Sequence, residues 1–190
     1  LDLKRYGKNV KVGNARKEFS IDPGAPLIGT AGRINIEKAH DLFLKAAAEV
    51  LKTAPDARFI IAGDGPLREK QEKLSEELGL KSKVIFTGYR KDIPEIIADL
   101  DIFALSSLTE SLGIVNLEAM AMGKPVMASI NRDLYPSDCP VVRPSVQKLM
   151  ELAYHESARE DTGGLGRAYV ERVHSSTVVV QKVMDAYESI

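Results

Sequence analysis

The sequence predicts an α/β fold: a doubly wound, Rossmann-like parallel sheet with helices on both faces. From Leu27 onward, short apolar runs alternate with longer segments whose apolar residues recur with a period near 3.6. The short runs are mostly apolar rather than alternating, as strands covered on both faces are. Pro and Gly stand at the edges of the helical segments, where they start and stop helices.

Taken in order, residues 1–26 differ from the rest. Within residues 1–18, Lys4, Arg5, Lys8, Lys11, Arg16 and Lys17 face only Asp2 and Glu18, and Pro23, Gly24 and Pro26 punctuate the end of the stretch. This stretch reads as a solvated basic interdomain linker, too sparse in charge for a lipid-binding arm. Residues 27–190 read as one domain. Its expected strands are Leu27–Ala31, Arg58–Ala62, Val84–Thr87, Ile102–Leu105 and Pro125–Ala128. Leu67, Leu74 and Leu78 share one face of a helix with Pro66 in its first turn and Gly79 past its end. Asp92 with Glu95 reads as a capping pair for a short helix. A helix starting near Gly113 runs to Gly123, where Pro125 forbids its continuation. Two or three helices close the chain.

A chain of 190 residues can bury roughly two-thirds of its unfolded surface, enough for one unaided core. Lys plus Arg number 26 against 27 Asp plus Glu, so no basic face for nucleic acid is expected. No apolar run approaches the ~20 residues of a membrane helix, and Cys139 is the single cysteine. A cytoplasmic protein is expected, with peripheral contact to the cytosolic membrane face as a further expectation for the full-length protein.

Ligands of such sheets bind outside the carboxyl ends of the strands, so the loops there carry the functional candidates. Gly63-Asp64-Gly65 has the start of a dinucleotide fingerprint but lacks its third glycine, and reads as a tight turn. Asp99-Leu100-Asp101 has metal-binding D-x-D spacing but falls at a helix-to-strand junction on the opposite side, which favours a structural role. His40, His155 and His174 lack metal-ligand spacing. What remains suits an anionic nucleotide. Gly32-Arg33 follows the first strand and Lys38 comes soon after, a guanidinium and an ammonium able to neutralise a diphosphate. Gly88-Tyr89-Arg90 follows the third strand, where a glycine lets backbone approach a flat ring. After the fourth strand, the helix start near Gly113 points unpaired N–H groups at whatever lies above. Glu110 and Glu118 flank that start, with backbones on the order of 12 Å apart if helical throughout. Hydrolytic carboxylate pairs sit about 5 to 9.5 Å apart, so these two suit hydroxyl groups of one long ligand instead.

Gly32-Arg33…Glu37-Lys38, Phe59-Ile60-Ile61-Ala62-Gly63-Asp64-Gly65-Pro66, Val84-Ile85-Phe86-Thr87-Gly88 and Glu110…Glu118 together resemble glycosyltransferase family 4. The resemblance is to the C-terminal, nucleotide-sugar-binding domain of these retaining GT-B enzymes, from about Leu27 to Ala128. It implies that Arg33 and Lys38, beside Gly32, hold the donor diphosphate. Glu118 would bind the ribose hydroxyls and Glu110, the catalytic-site carboxylate, would contact the donor sugar. Backbone from Ser111 through Leu112, Gly113 and Ile114 to Val115 would support sugar and phosphate, and Gly88, Tyr89 and Arg90 would flank the base. No metal or other cofactor is expected, because cations and the helix start stabilise the departing diphosphate.

The implied activity moves a hexose from a nucleoside-diphosphate sugar to a glycan, lipid or small-molecule acceptor held by an N-terminal domain that this sequence does not include. The isolated domain is expected to turn over little. The alternative is a non-catalytic nucleotide-sugar-binding or scaffolding module of the same fold. Ser106-Ser107 stands where the family has Pro-Ser, Ser111 and Ala39 stand where it has Gly, and residues 130–136 lack its Gly-Gly-x-Pro-Glu pattern.

Overall fold

The structure, a computed structural model, describes residues 1–7, 10–109, 113–128, 138–143 and 145–188. Five parallel strands, β1 (Leu27–Ala31), β2 (Arg58–Ala62), β3 (Val84–Gly88), β4 (Ile102–Leu105) and β5 (Val126–Ala128), pair in the order β3-β2-β1-β4-β5. The expected strands are all present, with β3 one residue longer and β5 starting one residue later. The strand order reverses between β1 and β4, which makes the crevice above those two strands the natural ligand position.

Burial on both faces explains the unalternating strands. Helices α2 (His40–Leu51), α3 (Arg68–Glu77) and α6 (Val146–Tyr154) share one core with Ile28, Phe59, Ile61, Ile102 and Met127. Helices α4 (Ile93–Asp99), α5 (Ile114–Ala121) and α7 (Glu156–Val173) share the other with Leu27, Ile60, Phe103, Leu105 and Val126. A final helix, α8, spans Ser176–Glu188. Gly79 leaves α3 at φ 72°, as its place past the helix end requires. Pro66 lies two residues before α3 rather than in its first turn. Asp92 occupies the N-cap position of α4, but its side chain caps nothing, because both oxygens accept from Arg90.

Among the described residues of 1–18, Lys4, Arg5, Lys11 and Lys17 are exposed, as a solvated stretch requires, but Tyr6 and Ala15 are buried and Arg16 is half-buried. Asn14–Glu18 form a short helix, α1, whose first amides find an acceptor in Asp99: Ala15 N–H donates over 2.7 Å and Arg16 N–H over 3.1 Å, with Gly13 N–H on the other carboxylate oxygen. Asp101 accepts from Arg16 and from the Leu27 amide, both at 2.8 Å. The D-x-D pair is therefore an anchor at the amino ends of the strands, as its position suggested. Tyr6, Ala15 and Ile21 are buried against the α4–α5–α7 side.

Candidate functional site

Backbone contact between consecutive strand ends builds the floor of the site. Gly32 N–H donates to Ala62 O at 2.9 Å and Ile34 N–H to Asp64 O at 2.9 Å. A Cβ on Gly63 would stand 1.9 Å from Gly32 O, and one on Gly65 would stand 2.4 Å from Ile34 O. Gly63 and Gly65 thus serve the close approach of two loops, beyond the turn expected of them. Gly63 also bridges to Gly88, which brings the third strand end into the same row.

Cations stand above this floor. The Lys38 side chain lies across Gly32, its Cε 3.6 Å from where a Cβ would be. The turn that places Lys38 is set by its own N–H donating to Asn35 Oδ1 at 3.1 Å. Ala39 follows at φ 45°, a left-handed conformation that its Cβ strains and a glycine would adopt freely. Arg33 is exposed and has no ion-pair partner among the described residues. The loops after β1 and β4 are tied together, with Ser106 Oγ donating to Lys38 O at 2.9 Å and Leu108 N–H to Glu37 O at 2.8 Å.

An open cleft of about 460 Å³ runs from this corner along the strand ends. Arg33 and Gly32 border one end, Tyr89 and Arg90 the other, and Ile93 and Val115 supply an apolar wall. Helix α5 starts beside it at Gly113, φ 60°. Asn116 and Leu117 N–H both donate to Gly113 O, which leaves the Ile114 and Val115 N–H groups without an acceptor among the described residues. Such a helix start attracts an anion.

The structure therefore brings Gly32, Arg33, Lys38, Gly88, Tyr89, Arg90, Gly113, Ile114 and Val115 to one side of the sheet. Glu118 stands one turn beyond Val115, half-buried. Burial and a hydrogen bond to the Glu118 carboxylate push the Tyr6 phenol up to about 12. Glu110, Ser111, Leu112 and the divergent 130–136 loop lie outside the described residues. Arg90 borders the cleft with its charge already matched. It donates to Glu18 at 2.6 and 2.7 Å and to Asp92 at 2.8 and 2.7 Å.

Sequence reading missed Tyr6, Asp64 and Ile93 as neighbours of this site, and Glu18 as the partner of Arg90. Asp64 carried a visible signal, since it follows a strand between two glycines. Tyr6 and Glu18 carried none, because each meets its partner only through the fold.

A model of the glycosyl transferases group 1 family matches residues 12–136. The chain belongs to this family. It is 39% identical over 115 residues to alpha-D-kanosaminyltransferase of Streptomyces kanamyceticus, covering 60% of this chain and 30% of that protein. It is 33% identical over 134 residues to the lipopolysaccharide core biosynthesis mannosyltransferase LpsB of Rhizobium meliloti, covering 68% of this chain and 38% of that one. The chain thus spans about a third of the length of these group 1 relatives.

Among solved structures, Anabaena Alr3699/HepE in complex with UDP shares the fold at TM-score 0.83 and 20% identity, over 100% of this chain and 56% of that one. The C-terminal domain of the group 1 protein LpcC from Francisella tularensis superposes at TM-score 0.72 and 26% identity, over 93% of this chain and 99% of that one. The chain is thus consistent with the C-terminal half of a GT-B fold. No helix among the described residues is long and apolar enough to cross a membrane.

Proposed function

We propose that this chain is the donor-binding half of a retaining glycosyltransferase of family 4, which moves a hexose from a nucleoside diphosphate to a glycan, lipid or small-molecule acceptor. One observation carries the reading: Arg33, Lys38 and the uncapped start of α5 converge where the strand order reverses. A diphosphate placed there meets a planar guanidinium, an ammonium and two backbone N–H groups without an acceptor among the described residues. As the glycosidic bond breaks, negative charge grows on the departing diphosphate, and these fixed donors stabilise it without reorganising. The same groups make a metal unnecessary for charge neutralisation.

Glu118 takes the ribose hydroxyls, for which a carboxylate supplies acceptors. Tyr89 and the Gly88 turn flank the base. Glu110 contacts the donor sugar, and the Ser111–Val115 backbone supports it. The acceptor-binding half lies outside these 190 residues, so the isolated chain binds donor and turns over little. The UDP seen with Anabaena HepE, and the glycosyl transfers named for the Streptomyces and Rhizobium relatives, support this reading.

Calorimetric titration with UDP, GDP and ADP, with and without their sugars, tests it. At least one should bind the folded chain, and silence from all of them at millimolar concentration overturns the reading. Arg33→Ala should weaken every nucleoside diphosphate by about tenfold or more while sparing the nucleoside, as loss of one charge-assisted contact implies.

A further inference from the structure

An arginine bordering a phosphate cleft is expected to spend its N–H groups on phosphate oxygens. Arg90 spends them elsewhere. Nη1 and Nη2 grip both oxygens of Glu18, and Nε and Nη2 grip both oxygens of Asp92, all within 2.8 Å. The Arg90 guanidinium also lies 5.9 Å from the Phe19 ring. The three charged groups sum to one net negative charge, so this end of the cleft offers an anion no attraction. Arg33, at the other end, has no such partners among the described residues.

Glu18 belongs to α1, and α1 is fastened independently of the cleft. Asp99 takes the amides at its start, and Arg16 is paired to Asp101 at 2.8 Å. Gly88, at φ 71°, is buried at the end of the edge strand β3, whereas Tyr89 just after it is 76% exposed. Arg68 abuts one side of the Gly88-Tyr89 turn, its Nη1 2.9 Å from where a Gly88 Cβ would stand. On the other side, the residue after Tyr89 is Arg90, bolted to α1.

We infer that Arg90 is a positioning residue for the nucleotide base: clamped to Glu18 and Asp92, it holds the Gly88-Tyr89 turn in the shape that flanks the base, and it does not touch the diphosphate. This rests on the donor-site reading above. A turn held in its bound shape binds without the ordering cost a loose one pays. Glu18, remote from the ligand, becomes part of base recognition through Arg90.

The test measures UDP, GDP, ADP and inorganic pyrophosphate by calorimetry against the unsubstituted chain, Glu18→Gln, Glu18→Ala, Arg90→Ala and the double variant Glu18→Ala/Arg90→Ala, each checked for folding by circular dichroism. The expected result is that each single alanine variant weakens the preferred nucleotide by about tenfold. Pyrophosphate affinity should stay unchanged, Glu18→Gln should fall between, and the double variant should lose little more than either single. Unchanged nucleotide affinity in folded Glu18→Ala overturns the inference. So does an equal loss for nucleotide and pyrophosphate in Arg90→Ala, which marks direct phosphate contact or a general structural role. If the unsubstituted chain binds none of the nucleotides, the donor-site reading itself fails and this inference with it, an outcome visible before any substitution is made.

Discussion

His40 is buried to 1% exposure at the first turn of α2, and its Nδ1 has no hydrogen-bond partner among the described residues. Burial, with the neighbouring Lys38 charge, pulls its pKa down to about 4. The unfolded chain holds the His40 proton up to about pH 6.5, the ordinary histidine value, whereas the folded chain has released it. Between those values the unfolded state binds more protons, so stability falls as pH drops from about 6.5 toward 4. A shift of that size corresponds to about 3 kcal/mol at most. Urea denaturation at pH 7 and pH 4.5 should show the loss, and His40→Gln, which cannot take up the proton, should flatten the difference. An unflattened profile in the variant assigns the acid sensitivity elsewhere. The placement of Gly32, Arg33 and Lys38 at a strand end was legible because they closely follow an apolar run that ends at a glycine. The Tyr6–Glu118 and Glu18–Arg90 contacts were not, since each joins an unremarkable surface-type residue near the chain start to a distant loop or helix.

At the level of elements, the strands were readable because strands largely covered on both faces leave mostly apolar runs, even in the half-buried edge strand β3, and four of the five begin at the residue expected. α1 was not readable. A helix of five residues is too short to display a period, and its stability comes from elsewhere in the chain. Asp99, 84 residues from Ala15, accepts from the Gly13, Ala15 and Arg16 amides and so replaces the side-chain cap that Gly13 lacks. Asp99→Ala strands these donors in a buried setting and should cost about 3 kcal/mol. Asp99→Asn keeps one acceptor oxygen and should cost less. Urea denaturation measures both, and equal stability of all three proteins removes Asp99 as the anchor of α1. Because α1 carries Glu18, the Asp99 variants should also weaken the preferred nucleotide at temperatures where the chain is still folded.

On the scale of the whole molecule, two cores sandwich one sheet, and the site draws on both. Arg33 and Lys38 hang from the β1 end, over α2. Val115 and Glu118 ride on α5, which packs on the opposite face beside α7. A ligand that bridges the two sides binds only when both cores are assembled, so it favours the folded state over the unfolded one. Ligand at a hundredfold excess over its Kd adds about 2.7 kcal/mol to stability. For a chain of this size each kcal/mol moves Tm by roughly 2–4 °C, so the preferred nucleoside diphosphate should raise Tm by about 5–10 °C. The matching nucleoside at the same concentration should raise it far less, because it forgoes Arg33, Lys38 and the α5 start. Arg33→Ala should bring the diphosphate's shift down toward the nucleoside's without lowering the Tm of the ligand-free chain, since Arg33 is exposed and supports no other side chain among the described residues. Scanning calorimetry of both proteins reads this directly. An undiminished shift in Arg33→Ala moves the diphosphate away from the β1 loop.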